Sequence, residues 1–295
     1  MSESLQDLDR RIESANELHS ITRTMRGLAA VNLHHHERAA RAVSAYEAIV
    51  ADGLQAALSD GRLEQIPAAE PAITAPTALI VFGSNQGLCG PINRYVAARA
   101  VDEAAKWPTL ARVAAVGARL ATELEIVGLE PVVSWDLPGT VEGIPPRAET
   151  VLLRADRWRI EQHIERVVLV FPDYVARTRG YEPTVLQLSP TDRRWLERLA
   201  SRTWRSRSLP TFSMAWDRLV AELLREAMLV HLHRSFAQTM ASVAASRLAA
   251  MDAAQHDIEE RLERLRFQHQ QQRQAQITEE LLDVLSGFEI LRPGR

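Results

Sequence analysis

The residues most able to do chemistry sit in one turn. Gly83-Ser84-Asn85-Gln86-Gly87-Leu88-Cys89-Gly90 follows a β-branched run and precedes a helix-forming stretch, and backbone N–H groups in that setting can cradle a pyrophosphate. The glycines do not fall at G-x-G-x-x-G spacing. Asp102 and Glu103, about 20 residues on where a ribose-binding acid belongs, lie in a helical stretch and not at the end of a second strand. A nucleotide-binding turn and a tight strand-to-helix connection both stay open, the second being the commoner use of a lone glycine motif.

Other chemistries are excluded more firmly. Lys106 is the only lysine among 35 basic residues and no glycine-rich run precedes it. A P-loop needs a lysine directly after its glycine to reach the β and γ phosphates, so unaided ATP hydrolysis by that route is out. His34, His35 and His36 are consecutive and His231 and His233 are two apart, spacings that do not put ligands on one helix face. They read as solvated helix histidines, and no metal or cofactor is expected. Cys89 is the single cysteine; it makes no intrachain disulfide and reads as a small buried thiol.

A basic and aromatic stretch, Arg193, Arg194, Arg198, Arg202, Arg205 and Arg207 with Trp195 and Trp204, is diluted by Asp192 and Glu197. It reads as a solvated helix face or a contact with an acidic protein surface, with RNA a remoter partner. The chain as a whole carries a formal charge of −3, and a nucleic-acid binder is usually strongly basic. With 295 residues, 46% of them hydrophobic, there is enough chain for a real core, and disorder is excluded. The acidic start Met1-Ser2-Glu3 lacks a basic region before an apolar stretch, so no secretory signal is expected. No segment approaches the ~20 apolar residues of a bilayer span. A cytoplasmic protein that reaches the membrane through a partner is expected.

The elements that must position these residues divide by their use of glycine and proline. Thr211 to Ser286 contains neither and is dominated by helix formers. As one helix it is roughly 114 Å long, against a diameter of roughly 50 Å for a compact globule of this length. An apolar stripe runs along it through Leu219, Leu223, Ala227, Val230, Ala237, Met240, Ala244, Leu248, Met251, Ala254, Ile258, Leu262, Leu265, Ile277, Leu281 and Leu285, the seam of a coiled coil. It lapses between Gln268 and Gln276, where the helix is polar on all sides and must meet water or a polar partner.

A second helix is expected from about Ser4 to Leu58, with its stripe at Leu5, Leu8, Ile12, Ala15, Leu18, Ile21, Met25 and Leu28. Two such helices at opposite ends of a chain bury each other's stripes as an antiparallel pair. Between them, β-branched runs at Thr77–Phe82, Arg112–Val116, Pro131–Trp135, Val167–Phe171 and Thr184–Leu188 alternate with helical stretches, the pattern of a mostly parallel sheet. Leu137 to Pro146, with Gly139, Gly143 and three prolines, reads as a loop. The expected fold is α plus α/β: a long antiparallel coiled coil of the N- and C-terminal helices (1–66 and 209–295) carrying an inserted, mostly parallel Rossmann-like domain (67–208).

Three motifs in order then carry a resemblance. Arg11-Ile12 with Ser14, Ile21-Thr22, Met25 and Leu28-Ala29-Ala30; Ser84-Asn85-Gln86-Gly87-Leu88-Cys89-Gly90 with Asn93; and Arg273-Gln274-Ala275-Gln276-Ile277-Thr278-Glu279-Glu280-Leu281 with Asp283 and Gly287 resemble the corresponding segments of the gamma subunit of the rotary F-type ATP synthase. Asn85 and Gln86 stand where that family carries Asp and Arg. The resemblance implies a non-catalytic central-stalk rotor, turning with the membrane c-ring and epsilon subunit inside a ring of alpha and beta subunits, peripheral on the cytoplasmic face of the inner membrane. It implies beta-subunit contacts at Arg273, Gln274, Thr278 and Glu280 and, across the hairpin, at Ile21, Thr22, Met25 and Arg26. Trp204, Arg205 and Arg207 fall near the family's c-ring contact. The rival readings are a nucleotide-binding oxidoreductase with dimerisation helices, and a free-standing coiled-coil adaptor.

Overall fold

The computed structural model describes residues 4–58, 62–66, 71–204, 208 and 210–290, apart from the side chains of 62 and 286–290. Helix α1 covers Leu5–Leu58 and α6 covers Trp216–Ile290. Between them run β1 (Thr77–Phe82), α2 (Ile92–Ala104), β2 (Leu110–Val116), α3 (Ala118–Ile126), β3 (Val133–Trp135), α4 (Ile144–Gln162), β4 (Arg166–Val175), β5 (Gly180–Ser189) and α5 (Arg193–Ala200). The chain forms two compact units, Met1–Leu28 with Leu248–Arg295, and Ala29–Arg247.

The larger unit is built on a sheet of order β3-β2-β1-β4-β5. The first four strands pair in parallel, while β5 returns antiparallel to β4. A four-residue turn joins those two strands, too short for a crossover helix, so the pair can only be a hairpin. All six residues of β1 are buried, as a central strand covered on both faces requires. Phe82 meets Phe236 of α6 edge to face at 5.0 Å, and Trp158 of α4 is 2% exposed.

Small residues bring α6 onto this core. Ala237, Ala241, Ala244 and Ala245 are buried, and so are the hydroxyls of Ser235, Thr239, Ser242 and Ser246. Each hydroxyl donates to a carbonyl, Ser242 to Pro172 at 3.0 Å and Ser246 to Cys89 at 2.6 Å, so none is left without a partner. The lone lysine is structural: Lys106 Nζ lies 2.6 Å from Glu103 Oε2. Glu103, 3% exposed, also accepts from Trp107 Nε1, whose ring carries the Arg166 guanidinium at 4.0 Å.

Several expected boundaries move, among them the strands β4 and β5, which run longer than their β-branched cores. Leu137–Pro146 is not all loop, because α4 starts at Ile144 with Pro145 and Pro146 in its first turn. Proline is well suited there, since the first helical N–H groups have no partner within the helix. The last helix begins at Trp216 and not at Thr211; Trp216 Nε1 donates to Ala57 O at 2.7 Å and ties that start to α1.

Candidate functional site

In the smaller unit, Leu5–Leu28 of α1 lies antiparallel to α6. Leu8, Ala15, Leu262 and Leu265 are buried together with Ile12 and Ile258 packed beside them. Polar pairs continue the register: Asp9 with His269 at 3.1 Å, His19 with Glu259 at 3.0 Å, and Arg26 with Asp252. The covered positions of α1 run Leu8, Ile12, Ala15, His19 and Thr22, alternating steps of four and three that hold a coiled-coil seam.

The expected stripe leaves that seam. From Ala15 to Leu18 to Ile21 it takes two steps of three in succession, which rotates it off the facing helix. Leu18, Ile21, Met25 and Leu28 are accordingly exposed, by 54, 52, 37 and 56%. The seam itself turns polar at His19, Thr22 and Arg26. The Thr22 hydroxyl donates to the carbonyls of Leu18 and His19, which leaves its oxygen able to accept.

At the other end, Arg273, Gln274, Thr278 and Glu280 are all exposed. Thr278 Oγ1 donates to Gln274 O at 2.8 Å and Gln276 donates to Glu280 at 3.2 Å. Arg273 and Glu280 flank a shallow groove that also takes in Leu5 and Asp9 of α1. Ile277, Leu281, Leu282, Val284 and Leu285 are exposed by 48 to 62%. The two sets of candidate residues are not opposite each other. Arg26 faces Asp252, 21 residues before Arg273, a displacement of roughly 30 Å along α6.

The Gly83–Gly90 turn is filled by its own side chains. Ser84 N donates to Asn93 Oδ1 at 2.9 Å, and Asn93 Nδ2 donates to Ser84 Oγ at 2.8 Å. Ser84 Oγ donates to Gln86 O, and Cys89, 2% exposed, lies 3.3 Å from that hydroxyl. Asn85 makes a two-way bridge with the backbone of Leu137, 2.8 Å each way. The Ser84 N–H at the head of the turn is thus already bonded, and the polar side chains of Ser84, Asn85 and Asn93 are used within the turn and its neighbour, as in a tight strand-to-helix connection. A Cβ at Gly83 would lie 2.6 Å from Asn93 Oδ1 and 2.8 Å from Leu120 Cβ. Gly83→Ala is expected to cost about 1 to 3 kcal/mol by overpacking, read as a lower urea midpoint at unchanged m-value.

On the basic stretch, Arg193, Arg194 and Arg198 are exposed or half-buried on α5, whereas Leu196 and Leu199 are buried. Trp195 packs against the cluster around Leu54 and Val230. Trp204 Nε1 donates to Ser208 O; Arg205 and Arg207 lie outside the described residues. The solvated-histidine expectation holds for His34 and His35, which are exposed, and fails for the others. His36 Nδ1 lies 3.1 Å from Met240 O, and His231 and His233 each place a ring nitrogen in the interior, because the faces they occupy are covered by the packed core.

Burial pushes the pKa of His36, His231 and His233 down. A depressed folded-state pKa means that the unfolded chain takes up protons near pH 6.5 while the folded chain does not. The stability these groups contribute is present above about pH 6.5 and lost as pH falls through the lower folded values. The larger unit should melt at lower temperature at pH 5.5 than at pH 7.5, and His233→Gln should narrow that gap.

Two long terminal helices with a mostly parallel α/β insert between them along the chain define the fold class. A family model described as ATP synthase matches residues 4–291, and the chain belongs to that family. The ATP synthase gamma chain of Desulforamulus reducens is 25% identical over 286 residues, 96% of this chain and 98% of that one. That of Methylobacterium nodulans is 26% identical over 304 residues, 98% and 99%. A chain in the mitochondrial ATP synthase of Euglena gracilis, solved with OSCP, F1 and c-ring, shares the fold at a TM-score of 0.67 and 12% identity, over 99% of this chain and 97% of that one. The function is that of a central-stalk rotor subunit without catalysis of its own.

Proposed function

We propose that this subunit couples ion-driven rotation of a c-ring to ATP synthesis or hydrolysis on the beta subunits of an alpha–beta ring, with the paired terminal helices as its drive surface. The observation that supports this most is the exposed apolar end of α6, from Ile277 to Leu285, next to the polar collar of Arg273 and Gln274. Five large apolar side chains on one exposed helix end call for a partner, and a ring of subunits around the helix supplies one. Turning such an asymmetric surface favours a different beta conformation at each angle, which converts rotation into ATP release.

In this reading Arg273, Gln274, Thr278 and Glu280 form one contact level. Ile21, Thr22, Met25 and Arg26 form a second, separate level, at which the exposed Leu18 and Leu28 add apolar surface. Epsilon and the c-ring meet the α/β unit, Trp204 lying near the c-ring contact, and the complex sits on the cytoplasmic face of the inner membrane. Among the described residues no helix is long and apolar enough to cross a membrane, consistent with attachment through the partner ring.

The test is a tagged pull-down from gently solubilised membranes. Co-purification of alpha, beta, epsilon and c subunits with Mg-ATP hydrolysis is the expected result. Recovery of this chain alone, or as a homo-oligomer, would overturn the assignment.

A further inference from the structure

The α/β unit holds a cavity of about 530 Å³ that the shaft's role leaves unused, within the range of small-molecule sites. Val185 and Leu188 of β5 and Trp195 of α5 give it an apolar wall, and Arg194 and Arg198 of α5 reach it from one side. Glu47 of α1 and Arg234 of α6 line it from the other.

Its charges are unevenly used. Arg234 is matched by Glu47 at 3.4 Å and Asp173 at 3.3 Å. Arg198 faces Asp192 at 3.8 Å, and that carboxylate also accepts from the backbone N–H of Arg194. Neighbouring Arg193 pairs with Glu197. Arg194 is different: its guanidinium makes no ion pair among the described residues. Arg234 Nε and His231 Nδ1 are buried without a hydrogen-bond partner among the described residues, His231 Nδ1 lying 3.6 Å from Glu47 Oε1. Across the lining, Arg194, Arg198 and Arg234 stand against Glu47 and Asp192. Asp173 adds a third carboxylate through Arg234, so the charges balance and Arg194 is the one lining arginine without a carboxylate partner among the described residues, a single fork for a single carboxylate. An unpaired guanidinium offers the planar fork that grips a carboxylate through two N–H donors.

We propose that this cavity binds a small monocarboxylate with an aliphatic body, its charge held by Arg194 with Arg198 and its chain laid against Val185, Leu188 and Trp195. Such a ligand bridges β5 and α5, and stabilises the folded unit by mass action. The proposal does not depend on the rotor assignment.

The probe is octanoate, titrated calorimetrically into the purified full chain, with inorganic phosphate as comparison. Saturable one-to-one binding with Kd below about 1 mM is expected, which corresponds to −4.1 kcal/mol. Binding should weaken at least about tenfold in Arg194→Gln, persist in Arg193→Gln, and raise the melting temperature of the wild-type chain. Arg194 is exposed, so its loss should leave the fold intact; Arg198→Gln provides a second variant should it not. Non-saturable uptake, equal affinity in Arg194→Gln and wild type, or phosphate binding as tightly as octanoate would each overturn the proposal.

Discussion

Ala244→Pro is expected to cost about 3 kcal/mol or more. Ala244 is 4% exposed in the middle of α6. Proline there removes the N–H that bonds to the carbonyl of Met240, and its ring collides with that carbonyl. Relief by bending is blocked locally, because Ser242 is held to Pro172 and Ser246 to Cys89. A bend would break one or both of those buried hydrogen bonds, each worth about 1 kcal/mol net and more if a partner is left unsatisfied. Against a typical total of about 5 to 15 kcal/mol, the variant should melt far below the wild type by circular dichroism and assemble poorly. Ala244→Ser, similar in size and free of the backbone defect, should lie much closer to wild type. A Pro variant with a wild-type melting curve would show that α6 does not depend on helix continuity at this point.

The double substitution Arg273→Ala, Gln274→Ala should lower ATP turnover of the assembled complex about tenfold, equivalent to ~1.4 kcal/mol, while leaving the subunit folded. Both side chains are exposed, and surface truncations of this kind shift stability by only about 0.5 kcal/mol. Any larger effect must therefore arise at the partner, where arginine is among the residues that dominate interface energy. Comparing hydrolysis and ATP-driven ion pumping in the reconstituted complex, with melting of the free subunit as the control, separates the two. Unchanged turnover and pumping would remove this collar from the mechanism and shift attention to Ile277, Leu281 and Leu285.

Much of this architecture is legible in the amino-acid sequence. Both long helices show because glycine and proline are missing over most of their length and helix formers dominate, properties that act over a few neighbouring residues. The strands show in their β-branched runs, and the turn in its glycines. What misleads is the phase of the stripe on α1. Leu18, Ile21, Met25 and Leu28 lie at helical spacing from Ala15, yet the covered positions there are His19 and Thr22, with the exposed Arg26 paired to Asp252 across the seam. Spacing reports which residues share a face, not which face the partner helix meets, and a partner can accept a polar seam when each polar group finds a mate.

Two long terminal helices around a parallel α/β insert, the missing P-loop lysine and the gamma-subunit motifs in order are all readable from the residues along the chain. Packing in three dimensions brings Asn93 and Cys89 against Ser84 in the Gly83 turn, turns a ring nitrogen of His231 and His233 inward, and folds β5 back on β4. It alone decided that the exposed surfaces at Ile21–Met25 and at Arg273–Leu285 lie at different levels of the hairpin. The division has one cause. Helix and strand formation are decided largely by neighbours along the chain, whereas burial, pairing and hydrogen-bond satisfaction are decided by groups brought from distant positions, whose meeting no local pattern encodes.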